Sequence, residues 1–132
     1  MYSAVIPLKL PSCNEYINAC RTNKYMASAL KKKTQEAVGW YIRKLPEFKK
    51  PVHINFIWTN TSKDRRDLDN ICFAKKFILD ALQECGKIAN DNKKCVTGFS
   101  DSFMIGDNYE VRLEIEEEIW GNLPKKRLGL YL

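Results

Sequence analysis

Residues 52–85 read VHINFIWTNTSKDRRDLDNICFAKKFILDALQEC, and this one stretch decides the fold. Its opening alternates, with Val52, Ile54, Phe56 and Trp58 on one side, the period-two pattern of a half-buried strand that begins after Pro51. Its closing part does not alternate. Ile71, Ala74, Phe77, Ile78, Ala81, Leu82 and Cys85 fall at i, i+3, i+4 and i+7, which predicts a single helix from residue 71 that stops at Gly86. Between them lies a polar loop ending in RRDLDN, residues 65–70.

Upstream, residues 3–10 (SAVIPLKL) alternate as a strand that Pro7 assigns to a sheet edge, and Pro11-Ser12 breaks it. Residues 14–21 suit a short helix. From 23 to 45, Met26, Leu30, Ala37, Val38, Tyr41, Ile42 and Leu45 recur at helical spacing and end before Pro46. Downstream of a connector, Lys87 to Lys94, CVTGF and SFMI read as two short strands. YEVRLEIEEE reads as the last strand, with Gly106-Asp107-Asn108 as the turn before it. The order strand, helix, strand, helix, strand, strand predicts an α+β two-layer sandwich, a mixed β-sheet with helices on one face. No repeat or linker divides residues 1–132, so one domain is expected. The final stretch, 119–132 (IWGNLPKKRLGLYL), is apolar and basic without period and is expected to pack on a partner chain.

Composition narrows the class. No apolar run approaches the ~20 residues of a membrane span, and the start lacks a charged leader and apolar core, so a cytoplasmic protein is expected. Five cysteines, odd in number and never spaced CxxC, argue against a disulfide framework and a zinc site; buried thiols are expected instead. Lysine and arginine outnumber acids 22 to 16, a net charge of +6. The basic residues crowd the first half and recur at 125–127, whereas Glu114, Glu116, Glu117 and Glu118 cluster late. One polyanion-facing side is compatible with that distribution.

Two readings of RRDLDN compete. In the first, Asp69 or Asn70 caps the helix, Asp67 sits near its positive end, Asp80 pairs with Lys76 at i, i+4, and Asp91 is a turn residue. In the second, Asp67 and Asp69, two apart in extended chain, reach one cation. Mg²⁺ prefers oxygen ligands and takes few carboxylates, and Asp91 from a separate loop would complete the set. Arg65 and Arg66 would neutralise flanking phosphates. On an unbroken helix Lys76 lies about 20° from the stripe of Asp69, with Lys75 about 120° away, so Lys76 is the expected assisting cation.

RRDLDN, then KFILDAL, then a glycine and an Asn-Asp doublet, resembles the RusA-like Holliday-junction resolvases, in particular those of Gram-positive phages and prophages. The likeness covers residues 48–118, and NEYINACRTNKYMASALKKK resembles the amino-terminal helix of those members. By resemblance Asp67, Asp69 and Asp91 match the catalytic metal-binding acids, Asn70 the family asparagine, Lys76 the catalytic lysine, and Asp80 the helix aspartate. The gap from Asn70 to Lys76 is three residues longer than in the enterobacterial form, and Asn90 stands where the first acid of the doublet is usual. The resemblance implies a homodimeric, Mg²⁺- or Mn²⁺-dependent endonuclease that makes paired, symmetric nicks in four-way DNA junctions during recombination and repair.

Other chemistry finds little support. His53 is the sole histidine, read as a sheet-surface residue, and no GxGxxG or phosphate-loop pattern predicts a nucleotide cofactor. Phe73, off the apolar stripe, is a candidate wedge at the junction or a dimer contact. Lys31, Lys32 and Lys33 fan around a helix, so at least one would face DNA lying across it. The alternatives are a non-catalytic DNA-binding module of the same fold, whose affinity would ignore Mg²⁺ beyond screening, and a phage assembly protein, which leaves the acid spacing unexplained.

Overall fold

The computed structural model describes residues 1–118. The elements run β1 (Tyr2–Ile6), α1 (Cys13–Thr22), α2 (Lys24–Ile42), β2 (Val52–Asn60), α3 (Leu68–Cys72), α4 (Lys75–Glu84), β3 (Val96–Ile105) and β4 (Glu110–Glu117). The four strands form one open sheet in the order β1-β4-β2-β3. Strands β1 and β2 each pair antiparallel with β4, while β3 runs parallel to β2. The fold is α+β with a mixed sheet, and β1 lies at an edge as expected, but the strand expected over 3–10 ends at Ile6, with Pro7 just beyond it.

The alternation of β2 is kept. Val52, Ile54, Phe56 and Trp58 are buried with Val111, Leu113 and Ile115 of β4 against Val38 and Ile42 of α2 and Phe77, Ile78 and Leu82 of α4. The opposite face carries His53, Asn55 and Thr59 beside Arg112, Glu114 and Glu116, and is polar. His53 lies there as expected, its Nε2 3.0 Å from Ser100 Oγ.

Three expectations are corrected. The helix expected from residue 71 begins at Leu68 and is two helices, because the chain tightens at Phe73-Ala74. There Ala74 donates to Ile71, Lys76 to Phe73 and Phe77 to Ala74, bonds of i→i+3 type. That tightening lets Phe73 pack against Tyr16 and Phe77, with ring centroids 5.8 and 5.9 Å away, so it is a half-buried packing residue rather than a wedge. The two short strands are one ten-residue strand, β3. Gly106-Asp107-Asn108 lies in the connection between β3 and β4 as expected, and because those strands flank β2 the connection crosses its end. The Gly106 amide donates to Asn60 at 2.9 Å, and a Cβ there would stand 2.8 Å from Thr59 Cγ2.

The cysteines also depart from expectation. All five are free thiols, but Cys20 and Cys85 are exposed and Cys13, Cys72 and Cys95 half-buried. Cys85 escapes burial because α4 ends at Glu84, so the thiol sits in the cap beyond the packed turns. Among the described residues no helix is long and apolar enough to cross a membrane. The expectation for residues 119–132 lies outside the described residues.

Candidate functional site

The loop between β2 and α3 is held by an internal clamp. Arg66 donates from Nε to both Asp64 carboxylate oxygens (3.0 and 2.9 Å), from Nη2 to Oδ2 at 2.7 Å, and from Nη1 to the Leu10 carbonyl at 3.2 Å. The Asp64 side chain is 5% exposed. The guanidinium holds its carboxyl down to about 2, against a smaller upward push from burial. Arg66 therefore spends its guanidinium fork on Asp64 rather than holding it free for a phosphate. The fork of a guanidinium matches a carboxylate, and the nearest one is two residues away. Arg65 is exposed and remains available.

This clamp delivers Asp67 and Asp69. Asp67 occupies the N-cap of α3 with extended backbone (φ −70°, ψ 157°), yet its carboxylate makes no capping hydrogen bond. Asp69 sits inside the first turn, and its Oδ1 accepts only from the next residue's amide, at 2.9 Å. Both are exposed, and neither is ion-paired among the described residues. The expected capping by Asp69 or Asn70 does not occur at α3. Asn70 instead reaches back 56 residues, its Oδ1 accepting from the Asn14 amide at 3.0 Å and so helping Ser12 cap α1.

The other acids contrast with this pair. Asp80 is taken up by Lys31 at 3.5 Å, by Lys76 at 3.9 Å and by Gln35 at 3.3 Å, which ties α4 to α2. Lys76 is thus paired within α4, its side chain 51% exposed. The break at Phe73-Ala74 divides the helix, so one 100° count does not run unbroken from Asp69 to Lys76. Lys75 turns to the sheet. Its Nζ lies 2.6 Å from Asp101 Oδ2 on the helix-facing side of β3, over the rings of Phe56 (5.4 Å) and Phe99 (5.1 Å), while Trp58 Nε1 donates to Asp101 Oδ1 at 2.9 Å. The Cys72 thiol is pushed up by burial first and then by Asp101, with Asp69 adding a smaller push. Lys75, Asp101 and Trp58 therefore form one polar cluster over Phe56 and Phe99.

Asp91 is elsewhere. It is exposed in the loop from α4 to β3, at the end of the sheet where Val52 pairs with Val96 and Phe48 donates to Lys87. Asp67 and Asp69 lie past Asn60, at the other end of β2. Eight strand steps of ~3.3 Å put roughly 26 Å between the two ends. Among the described residues no three acids, cysteines or histidines gather closely enough to hold a metal. Asp67 and Asp69 share the first turn of α3, so they are not two apart in extended chain as expected, because the helix already begins at Leu68; Asp91 lies on a different loop. Of the expected DNA-binding lysines, Lys31 is spent on Asp80, whereas Lys32 and Lys33 are exposed.

Sequence reasoning misses Lys75, Asp101 and the Asp64–Arg66 clamp. Asp101 carries no local signal, because its meaning comes from the parallel register that sets it beside Phe56. Asp64 and Arg66 at i, i+2 could have been paired from the sequence. No family model matches this chain, and no curated protein matches it.

Proposed function

We propose that this chain is a divalent-metal-dependent DNA endonuclease of the junction-resolving kind, acting as a cytoplasmic homodimer that nicks branched DNA in pairs. One observation carries the reading: Asp67 and Asp69 project two exposed carboxylates, neither capping α3 nor ion-paired among the described residues, from a loop that Arg66 locks. Unpaired neighbouring carboxylates repel, and a chain with surplus lysines that leaves this pair free keeps a cation site. The donor set is all oxygen and suits Mg²⁺ or Mn²⁺ over zinc. When bound, such an ion supplies the Lewis acidity that phosphodiester hydrolysis needs.

Asp67 and Asp69 would hold the metal from the rigid end of the sheet. On this reading Asp91, which sits on the loop before β3, joins them from a second copy. A two-fold dimer supplies that exchange twice and gives the two centres that paired nicks require. Lys75, six residues beyond Asp69 and steadied by Asp101, would stabilise charge on the phosphate. Asn70 and Asp80 support the site by fixing α1 against α3 and α4 against α2. Arg65, Lys32 and Lys33 remain to meet phosphates.

The test is cleavage of a synthetic four-way junction beside a linear duplex, in Mg²⁺, Mn²⁺ and EDTA, with wild type and Asp69→Asn. Metal-dependent paired nicks by the wild type alone are expected. Tight junction binding without cleavage in any metal would replace the enzyme with a binding module, and equal treatment of junction and duplex would end the resolvase reading.

A further inference from the structure

At the Asp91 end of the sheet the chain forms an open groove of about 480 Å³, bounded by segment 47–50 on one side and by Gly86, Ile88, Ala89 and Lys94 of the α4–β3 loop on the other. The two walls are fixed to each other. Phe48 donates to Lys87 at 2.7 Å, and Val52 donates to Cys95 at 2.9 Å. The floor is apolar, with Phe48 and Ile88 both buried. The rim is cationic. Lys50 and Lys94 are exposed and unpaired among the described residues, while the one acid of the rim, Glu47, is already bound to Lys49 at 2.8 Å. The last carbonyls of α4 do not oppose an anion here, because Ala81, Leu82 and Gln83 accept from Cys85, Lys87 and Gly86. Gly86 makes that closure possible with φ +73°.

We infer that this groove binds the sugar–phosphate backbone of the DNA strand that passes Asp91, with Lys50 and Lys94 on consecutive phosphates and the deoxyribose over Phe48 and Ile88. The inference rests on the nuclease reading and deepens it. Only Asn92 and Lys93 separate Lys94 from Asp91 on one loop, so a strand gripped at the rim is held beside the acid that acts on it. An apolar floor with unpaired ammonium groups on both walls suits alternating sugar and phosphate, and each phosphate neutralised releases counterions.

The experiment measures affinity of the full chain for a four-way junction in EDTA across a series of KCl concentrations. Wild type is compared with Lys50→Ala/Lys94→Ala and with Lys24→Ala, a lysine of the α2 start remote from the groove. The double variant should lower the slope of log affinity against log salt by about two, close to 0.9 per lost phosphate contact. Lys24→Ala should keep the wild-type slope, and all three should unfold at the same temperature. An unchanged slope in the double variant overturns the groove, as does an equal loss in Lys24→Ala. A wild type that never nicks DNA in Mg²⁺ but shows the slope difference would remove the nuclease and leave the groove.

Discussion

The two ends of β2 carry acids in opposite ways. Beyond Asn60, the loop is bound to distant parts of the chain: Arg66 to Leu10, and Asn70 to Asn14. Asp67 and Asp69 are thereby aimed. Before Val52, the Asp91 loop is closed mainly on itself, with Asp91 donating to Asn90 Oδ1 at 2.7 Å and Lys94 to Asn92 Oδ1 at 3.0 Å. A carboxylate on the first loop is held by contacts to distant residues, whereas one on the second rests mainly on contacts within its own loop. The proposed metal centre, drawing on both ends, would need a partner to supply the second half.

The largest expected effect separates chemistry from folding. Asp67→Asn or Asp69→Asn should cut junction nicking by roughly a thousandfold, about 4 kcal/mol of barrier, with the unfolding midpoint unchanged because asparagine keeps the Oδ1 acceptor that Asp69 offers to Asn70. An equally large loss of stability would contradict the idea that the rigid end is built around Asp64 rather than these two.

Asp64→Ala comes next. It strands the Arg66 guanidinium, and removing one member of a shielded pair should cost about 3 kcal/mol, read from chemical denaturation. The pH dependence follows from the same clamp. The Asp64 carboxyl is held at about 2, below its unfolded value, so its contribution is complete above about pH 4 and is lost as pH falls toward 2. About 2 kcal/mol of acid-dependent stability should vanish in Asp64→Asn.

The lysines give the smallest effects and the finest discrimination. Lys76→Ala breaks an exposed i, i+4 pair and should change stability by less than about 0.5 kcal/mol. Lys75→Ala strips Asp101 of its cation and should cost about 1 kcal/mol. It should also slow nicking more than Lys76→Ala does. The reverse order of nicking rates would return the assisting role to Lys76.

Much of this was legible in one dimension. The alternation of Val52, Ile54, Phe56 and Trp58, the apolar spacing of α4 and the edge placement by Pro7 are local periodicities that burial simply enforces. The break at Phe73-Ala74 was not legible, because Phe73 turns toward Tyr16, a partner 57 residues earlier. That one turn splits the helix, so the angular count from Asp69 to Lys76 does not carry through, and Lys75 turns to Asp101. The pair Asp67 and Asp69 was visible from spacing, but its separation from Asp91 was not. Separation depends on β3 running parallel to β2, which forces α3 and α4 to carry the chain back along the whole sheet.

The central claim, that the two ends of the sheet form halves of one metal centre, is tested most directly by mixing inactive variants. Asp69→Asn and Asp91→Asn would be assayed on a four-way junction in Mg²⁺ alone and after subunit exchange, beside a control mixture of Asp67→Asn and Asp69→Asn. A dimer of the first two variants holds one centre with every carboxylate intact, so single nicks should return on mixing, while the control stays silent. Mixed dimers of Asp69→Asn and Asp91→Asn that remain inactive would contradict the shared centre.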